Sequence, residues 1–283
     1  MVQENISQLK TDLREALFLD LDDFGLEITS DEVVSKFAGL HLRSVFQPIN
    51  VLGQDATPLG YEALLRPSIG GTDSLTPSAA FSFADNQGRL VKFDRVARTL
   101  HTLNYLSLPQ ERGLLFLNVH PKLLTSVNAH GKVFENILHN HSVPTHQVVI
   151  EVLESEVELD QKLNEAVANY RDRGYQIAID DFGSKHSNLD RLWEISPDFI
   201  KLDISIIRQA QINPKVRKVL PKLIQIIQEL DAQAIVEGIE NEIQLHIAID
   251  SGARLLQGYQ LGKPAPASVW HKFKSAQQLK QVA

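Results

Sequence analysis

Ile177-Ala178-Ile179-Asp180-Asp181-Phe182-Gly183 decides how this chain is read. Apolar residues, two of them β-branched, describe a buried strand that ends in two consecutive carboxylates and a glycine. Adjacent aspartates at a strand end repel each other and lose solvation, so they call for a compensating partner. A divalent cation is the most economical one, since hard cations take oxygen ligands and two carboxylates flank or bridge two ions. Against this stands the plain alternative of a strand running into a surface turn. The rest of the chain decides between them.

Outward from that stretch the same rhythm recurs. Leu114–Leu117 ends at Asn118, Val148–Ile150 at Glu151, Phe199-Ile200 at Lys201, Ala234–Val236 at Glu237, and Leu255-Leu256 at Gln257. Helical periodicity lies between these runs, over 93–107 (Phe93, Val96, Leu100, Leu103), 132–140, 160–173, 215–230 and 241–251. Strands alternating with helices predict a parallel sheet with right-handed crossovers. A repeat of roughly thirty residues over about 250 suits a (β/α)8 barrel, whose active site lies at the C-terminal strand ends. Two further strands, 42–51 and 59–65, flank the polar region Gly53-Gln54-Asp55 and read as a hairpin, so one barrel strand runs antiparallel. Residues 1–38 form a separate N-terminal extension: Ile6, Leu9, Leu13 and Leu17 (with Ala16) fall at helical spacing, and Ser30-Asp31-Glu32 starts a second short helix ending near Gly39. The extension carries no recognisable chemistry and reads as a helical cover or a dimer contact; residues 39–283 are the main domain.

Composition narrows the function. The formal charge of −7 and the absence of a basic stripe argue against double-stranded nucleic acid as partner. With no cysteine there are no disulfides, thiolate metal sites or cysteine nucleophiles. The polar start MVQENISQLKTD is no secretory signal, and no apolar run reaches the roughly eighteen residues of a membrane span, so the expected location is cytoplasmic.

Glu62, Asn118, Glu151, Asp180, Asp181, Lys201, Glu237 and Gln257 thus converge on one rim. Five carboxylates and an amide there require cations, and all-oxygen ligation fits Mg²⁺, Mn²⁺ or Ca²⁺. No histidine sits at a strand end, which argues against a zinc hydrolase; His120, His139, His141 and His186 read as surface residues. Hard cations beside a lysine suggest phosphoryl chemistry. Lys201, among carboxylates, stays protonated and positions water or stabilises charge. Arg66 is placed to pair with a phosphate oxygen.

These residues carry a resemblance. Tyr61-Glu62-Ala63-Leu64-Leu65-Arg66-Pro67 resembles the signature of the EAL-domain family, bacterial cyclic di-GMP phosphodiesterases. Support follows in Phe46-Gln47-Pro48-Ile49, Leu117-Asn118-Val119, Glu151-x-x-Glu154-Ser155, Asp180-Asp181-Phe182-Gly183, Lys201-Leu202-Asp203, Val236-Glu237-Gly238-Ile239-Glu240, and Gln257-Gly258-Tyr259 with Lys263-Pro264. The resemblance implies a modified (β/α)8 barrel with one antiparallel strand, hydrolysing cyclic di-GMP to linear pGpG by a two-metal mechanism. It places Glu62, Asn118, Glu151 and Asp180 on one metal, and Asp180, Asp181 and Glu237 on the second. Lys201 sits by the nucleophilic water, and Gln257 and Glu240 support the second-metal side. Gln47, Leu65, Arg66 and Asp203 contact the dinucleotide, and Glu154 anchors the loop after the aspartates. It further implies Mg²⁺ or Mn²⁺ as cofactor, Ca²⁺ as inhibitor, and a homodimer. One departure lies in Ser184-Lys185-His186-Ser187-Asn188-Leu189, where the family commonly carries Thr-Gly-Tyr-Ser-Ser-Leu. A lysine in place of that glycine costs on the order of 1 kcal/mol if the position needs positive φ. The alternative function is a cyclic di-GMP receptor that acts through a protein partner.

Overall fold

The structure is a computed structural model, described for residues 25–29, 32–53, 58–109, 112–126, 134–135, 138–139, 141–153, 161–184 and 190–270. Its strands are β1 (Leu26–Ile28), β2 (Val33–Phe37), β3 (Leu40–Val51), β4 (Gly60–Ile69), β5 (Asp73–Ser74), β6 (Leu114–Asn118), β7 (Val148–Leu153), β8 (Gln176–Phe182), β9 (Phe199–Leu202), β10 (Gln233–Val236) and β11 (Leu255–Leu256). Its helices are α1 (Pro77–Asn86), α2 (Leu90–Tyr105), α3 (Pro121–Ser126), α4 (Gln161–Asp172), α5 (Asp190–Ile195), α6 (Ile204–Ile212), α7 (Pro214–Glu229), α8 (Glu242–Asp250) and α9 (Ala267–Trp270).

Eight strands close on themselves in the order β3-β11-β10-β9-β8-β7-β6-β4, the ring being completed by β3 against β4. Every neighbouring pair is parallel except the two that β3 makes, with β4 and with β11. This is the expected barrel with one reversed strand.

Two apolar shells hold it. Ile49, Phe116, Val149, Ala178, Phe199, Ile235 and Leu255 fill the bore, with Phe116 edge-on to Phe199 at 5.3 Å between centroids. The intervening positions point outward to the helices, as the period of two demands. α2 is buried along most of its length because a second layer covers it: Asn104 donates to the carbonyl of Val33 (2.8 Å) and accepts from its N–H (2.9 Å), pinning β2 against the helix.

The short helix expected over 30–39 is not formed. Val33-Val34 begins β2, and Ala38 (φ 48°) and Gly39 (φ 84°) form a two-residue turn that pairs Phe37 with Leu40. Gly39, read as a helix stop, is the second residue of a hairpin turn whose two positive φ angles favour glycine there. The expected helix around Ile6–Leu17 lies outside the described residues, as does most of 132–140. Helices α1, α3, α5, α6 and α9 had no counterpart in the periodicity reading. Asp203 caps α6, accepting from Ser205 N at 2.9 Å, and Asn213 caps α7 with Pro214 in its first turn.

Because Phe116 fills the bore's centre, Phe116→Ala is expected to lower unfolding free energy by about 3–5 kcal/mol, measured by urea denaturation.

Candidate metal centre

The bore changes character two residues beyond its apolar layer. Moving from Phe116 to Asn118, Val149 to Glu151, Ala178 to Asp180, Phe199 to Lys201, Ile235 to Glu237 and Leu255 to Gln257 keeps the same inward face and rises one step toward the rim. On β4 the step runs from Gly60 to Glu62; on the reversed β3 it runs backwards from Ile49 to Gln47. All eight strands therefore contribute one polar side chain to a single layer.

Lys201 lies at its centre, with only 1% of its side chain exposed. Its Nζ stands 2.7 Å from Glu151 Oε1, 2.8 Å from Glu237 Oε1, 3.0 Å from Asp180 Oδ1 and 3.2 Å from Glu62 Oε2. Asn118 Nδ2 donates to Glu151 Oε2 at 2.8 Å and to Glu62 Oε1 at 3.3 Å. Gln257 Nε2 donates to Glu62 Oε2 at 2.8 Å, while its Oε1 is buried with no donor.

Asp181 joins the layer through a bulge. β8 and β9 pair regularly at Ile179–Ile200 and again at Phe182–Leu202, so Asp180 and Asp181 together oppose Lys201. Consecutive strand residues point to opposite faces; the extra residue, held at φ 57°, breaks that alternation and brings the second carboxylate to the first. Asp tolerates this left-handed conformation better than most residues. The following Gly183 (φ 92°) leaves room for Ile206 of α6, which a Cβ would overlap.

Two groups of three carboxylates result, each with ligand oxygens within 4.8 Å of one another: Glu62, Glu151 and Asp180, and Asp180, Asp181 and Glu237. Asp180 belongs to both. Asn118, hydrogen-bonded to Glu62 and Glu151, stands beside the first group, and the carboxylate donor set is oxygen throughout.

The electrostatics follow from placing like charges in a low-dielectric bore. Burial, reinforced by Glu62 and Asp180, drives the Glu151 carboxyl well above its ordinary range despite Lys201. Burial and the Asp180 charge push Glu237 up to about 8 and Asp181 up to about 6. Burial alone would depress the Lys201 ammonium, but Asp180, Glu151, Glu237 and Glu62 outweigh it and raise its pKa well above 10.5.

Other expected residues are placed as follows. Gln47 is buried opposite Glu62 and donates to Gly262 O at 3.2 Å. Leu65 lines the cavity described below, and Asp203, the cap of α6, stands near enough to raise the Asp181 pKa. Arg66 is exposed, four residues past Glu62 on the same face of β4, with Nη1 on its neighbour's carbonyl. Glu240 is not in the layer: its exposed carboxylate pairs with Arg208 at 3.0 Å. Glu154 and residues 185–189 lie outside the described residues.

A cavity of about 910 Å³ opens from Asp180, Asp181 and Asn118 and runs outward between α1, α2 and α3. Its far wall holds groups the sequence reading passed over. Asp94 and Arg98 form a buried i,i+4 ion pair; Arg98 lies over the Phe134 ring, and Asp94 Oδ1 has no partner. His120, read as a surface residue, is half-buried in this wall and stacks on Phe81. His101, hydrogen-bonded to Ser44 Oγ at 2.7 Å, is held neutral, its pKa lowered to about 3 by burial and then by Arg66. Opposite charges four apart inside an apolar helix stripe were the available signal for Asp94 and Arg98.

Two outcomes are expected of the metal-free protein. Lys201→Met leaves four carboxylates without their cation and should cost about 3–5 kcal/mol, read by denaturation in EDTA, with much of the loss restored by saturating Mn²⁺. In the parent, Asp181 and Glu237 have folded-state pKa values above the ordinary carboxylate range, so their contribution is full below about pH 4 and lost as pH rises through about 6 and about 8. Lys201 stays charged over that window. The melting temperature in EDTA should therefore fall between pH 5 and 8.5, and added Mn²⁺ should flatten the fall; a metal-free melting temperature that rises over this range would contradict the assignment.

Comparison with known proteins agrees with this geometry. The EAL domain model matches residues 30–264. The uncharacterized EAL-domain containing protein YkuI of Bacillus subtilis is 33% identical over 54% of this chain and 38% of its own length. The probable cyclic di-GMP phosphodiesterase PdeI of Escherichia coli is 29% identical over 81% of this chain and 29% of its own. The chain thus spans well under half the length of these relatives. The crystal structure of the Bacillus subtilis YkuI protein, in complex with substrate c-di-GMP and calcium, superposes with a TM-score of 0.68 at 27% identity, over 85% of this chain and 60% of that one. No helix among the described residues is long and apolar enough to cross a membrane. With most of its length matched and both carboxylate triads assembled at the barrel rim, the chain belongs to the EAL domain family.

Proposed function

We propose that the chain is a metal-dependent phosphodiesterase that opens one phosphodiester of cyclic di-GMP to give linear pGpG. The observation that carries this reading is the pair of carboxylate triads sharing Asp180. Glu62, Asn118, Glu151 and Asp180 would hold one divalent cation, and Asp180, Asp181 and Glu237 a second. The oxygen-only donor set and the orphaned Gln257 Oε1 fit hard ions, with Mg²⁺ or Mn²⁺ as the working cofactor and Ca²⁺ as a non-productive substitute. Ions so held supply Lewis acidity toward a phosphate oxygen and acidify water.

The chain's own groups do the rest. Lys201, fixed by four carboxylates, stays cationic and donates to the attacking water or to the charge that builds on phosphate. Gln257 and Asn118 fix the orientation of Glu62 and Glu151, so the ligand oxygens are set before substrate arrives. Arg66, exposed above the rim, is free to approach a phosphate. The cavity leading from the triads, about 910 Å³, is large enough to take one nucleoside arm. The reading includes a homodimer, as the resemblance implies, and a cytoplasmic setting.

Incubating the purified chain with cyclic di-GMP and Mn²⁺ should give pGpG by chromatography, none with Ca²⁺, and at least about a 100-fold loss of turnover in Glu62→Ala and Asp181→Asn. Binding of cyclic di-GMP without turnover under Mg²⁺ and Mn²⁺ would refute the enzyme reading.

A further inference from the structure

The reversed strand β3 and its partner β4 run past the rim as a two-stranded ribbon, paired without a break from Ile49–Gly60 to Leu40–Ile69. Residues directly opposite in such a ladder share a face, and every second residue returns to it. The face that carries Gln47 and Glu62 at the rim therefore continues through Val45 and Leu64 to Arg43 and Arg66. The other face, with Leu42, Phe46 and Leu65, belongs to the apolar shell packed against the helices. Outward from the metal centre the ribbon thus presents an amide and a carboxylate, then a half-buried apolar step, then two exposed arginines.

Among the described residues, Arg43 and Arg66 are the only strand partners that carry the same full charge. Like charges directly opposed destabilise a ladder, and an anion between them reverses the effect. Neither guanidinium is fully used. Glu32 Oε1 accepts from Arg43 Nε at 2.6 Å and lies 2.5 Å from Nη2, which fixes one edge of the fork. Arg43 Nη1 has no partner among the described residues, and its side chain stays 53% exposed. Arg66 places Nη1 on the Leu65 carbonyl at 3.0 Å, and its other donors have no partner among the described residues.

We propose that Arg43 is a second substrate-binding arginine, which with Arg66 clamps the phosphate of cyclic di-GMP that is not being hydrolysed. The inference rests on the phosphodiesterase reading above. A cyclic dinucleotide carries two phosphates with a ribose between them on either side, and the ribbon face repeats that order. One phosphate belongs at the carboxylate triads, a ribose lies against Val45 and Leu64, and the second phosphate meets the arginines. The arginines stand four residues beyond Gln47 and Glu62, about 14 Å along the strands, and their long side chains reach back over part of that distance. Planar guanidinium forks match the paired oxygens of a phosphate, and two of them on one face hold it from both sides. A diester with a single phosphate gains nothing from the clamp, so the pair selects for a cyclic dinucleotide.

Titrating cyclic di-GMP into the full chain in Ca²⁺ should give a Kd about tenfold weaker for Arg43→Gln than for the parent. Arg43→Lys should recover only part of the loss, because an ammonium does not offer the fork. Arg43→Gln combined with Glu32→Gln, which strands no carboxylate, should bind as weakly as the single variant. In all three the rise in melting temperature with Mn²⁺ alone should match the parent's, since the metal centre is untouched. Lys36→Ala removes a cation of the neighbouring β2, paired to Glu27 at 2.8 Å, and should bind within about twofold of the parent. With Mn²⁺, Arg43→Gln should raise KM for cyclic di-GMP and leave kcat nearly unchanged. A parent that does not bind cyclic di-GMP overturns the phosphodiesterase reading and the clamp together. A parent that binds, beside an Arg43→Gln that binds within about twofold of it, overturns the clamp alone. An equal loss in Lys36→Ala does the same, since it would show a diffuse positive field in place of a paired site.

Discussion

One ammonium group and the carboxylates around it govern the architecture of the rim. Lys201 Nζ lies within 3.2 Å of oxygens from Glu62, Glu151, Asp180 and Glu237, on four different barrel strands or strand ends. Bringing those oxygens together without a cation would be prohibitive in a bore sealed from below by Phe116 and Phe199. With Lys201 in place the barrel closes with its ligands already converged. The design is incomplete by intent of chemistry: one positive charge does not balance five carboxylates, and the remaining deficit appears as the upward displacement of Glu151, Asp181 and Glu237. A site left short of positive charge is one that takes up cations.

The barrel and its polar layer were legible in the sequence for one reason. Parallel strands buried on both faces read as short apolar runs, and a polar residue just after each run marks the C-terminal rim. Asn118, Glu151, Lys201, Glu237 and Gln257 could be ordered around the rim from that rule alone. Glu62 and the reversed β3 followed from the hairpin reading. That Asp180 and Asp181 both lie at the rim was readable from the sequence, but the cause of their convergence was not visible there. Period-two alternation sends neighbours to opposite faces, and only the bulge against Lys201 reconciles them.

What was missed has equally specific causes. Gly39 signalled a helix end because glycine terminates helices and hairpin turns alike; the pairing of Phe37 with Leu40 decides it, and pairing is not a local property. Asp94 and Arg98 were passed over because a charged pair on an amphipathic helix is ordinarily solvated, whereas α2 is roofed by β2 and walls the cavity. Glu240 was placed at the second-metal side by the resemblance alone, whereas its exposed carboxylate pairs with Arg208. In each case a residue's neighbours in sequence were known and its neighbours across the fold were not.

The reach of the site beyond the rim rests on a similar division of labour. The triads are set on strand ends and held by Asn118, Gln257 and Lys201, so the barrel itself fixes where their oxygens stand. The surroundings come instead from helical and loop elements that the barrel carries: α1, α2 and α3 wall the cavity, while α6 brings Asp203 near Asp181 and seats its first turn on Gly183 and Gly238. The first residues of α6, Ile204 and Ile206, lie against the backbone at Gly238 and Gly183, next to the strand ends that carry the carboxylates. The strand ends tolerate little alteration because each holds a charge that another needs, whereas the helices around them can vary and tune what the same ring of carboxylates acts upon.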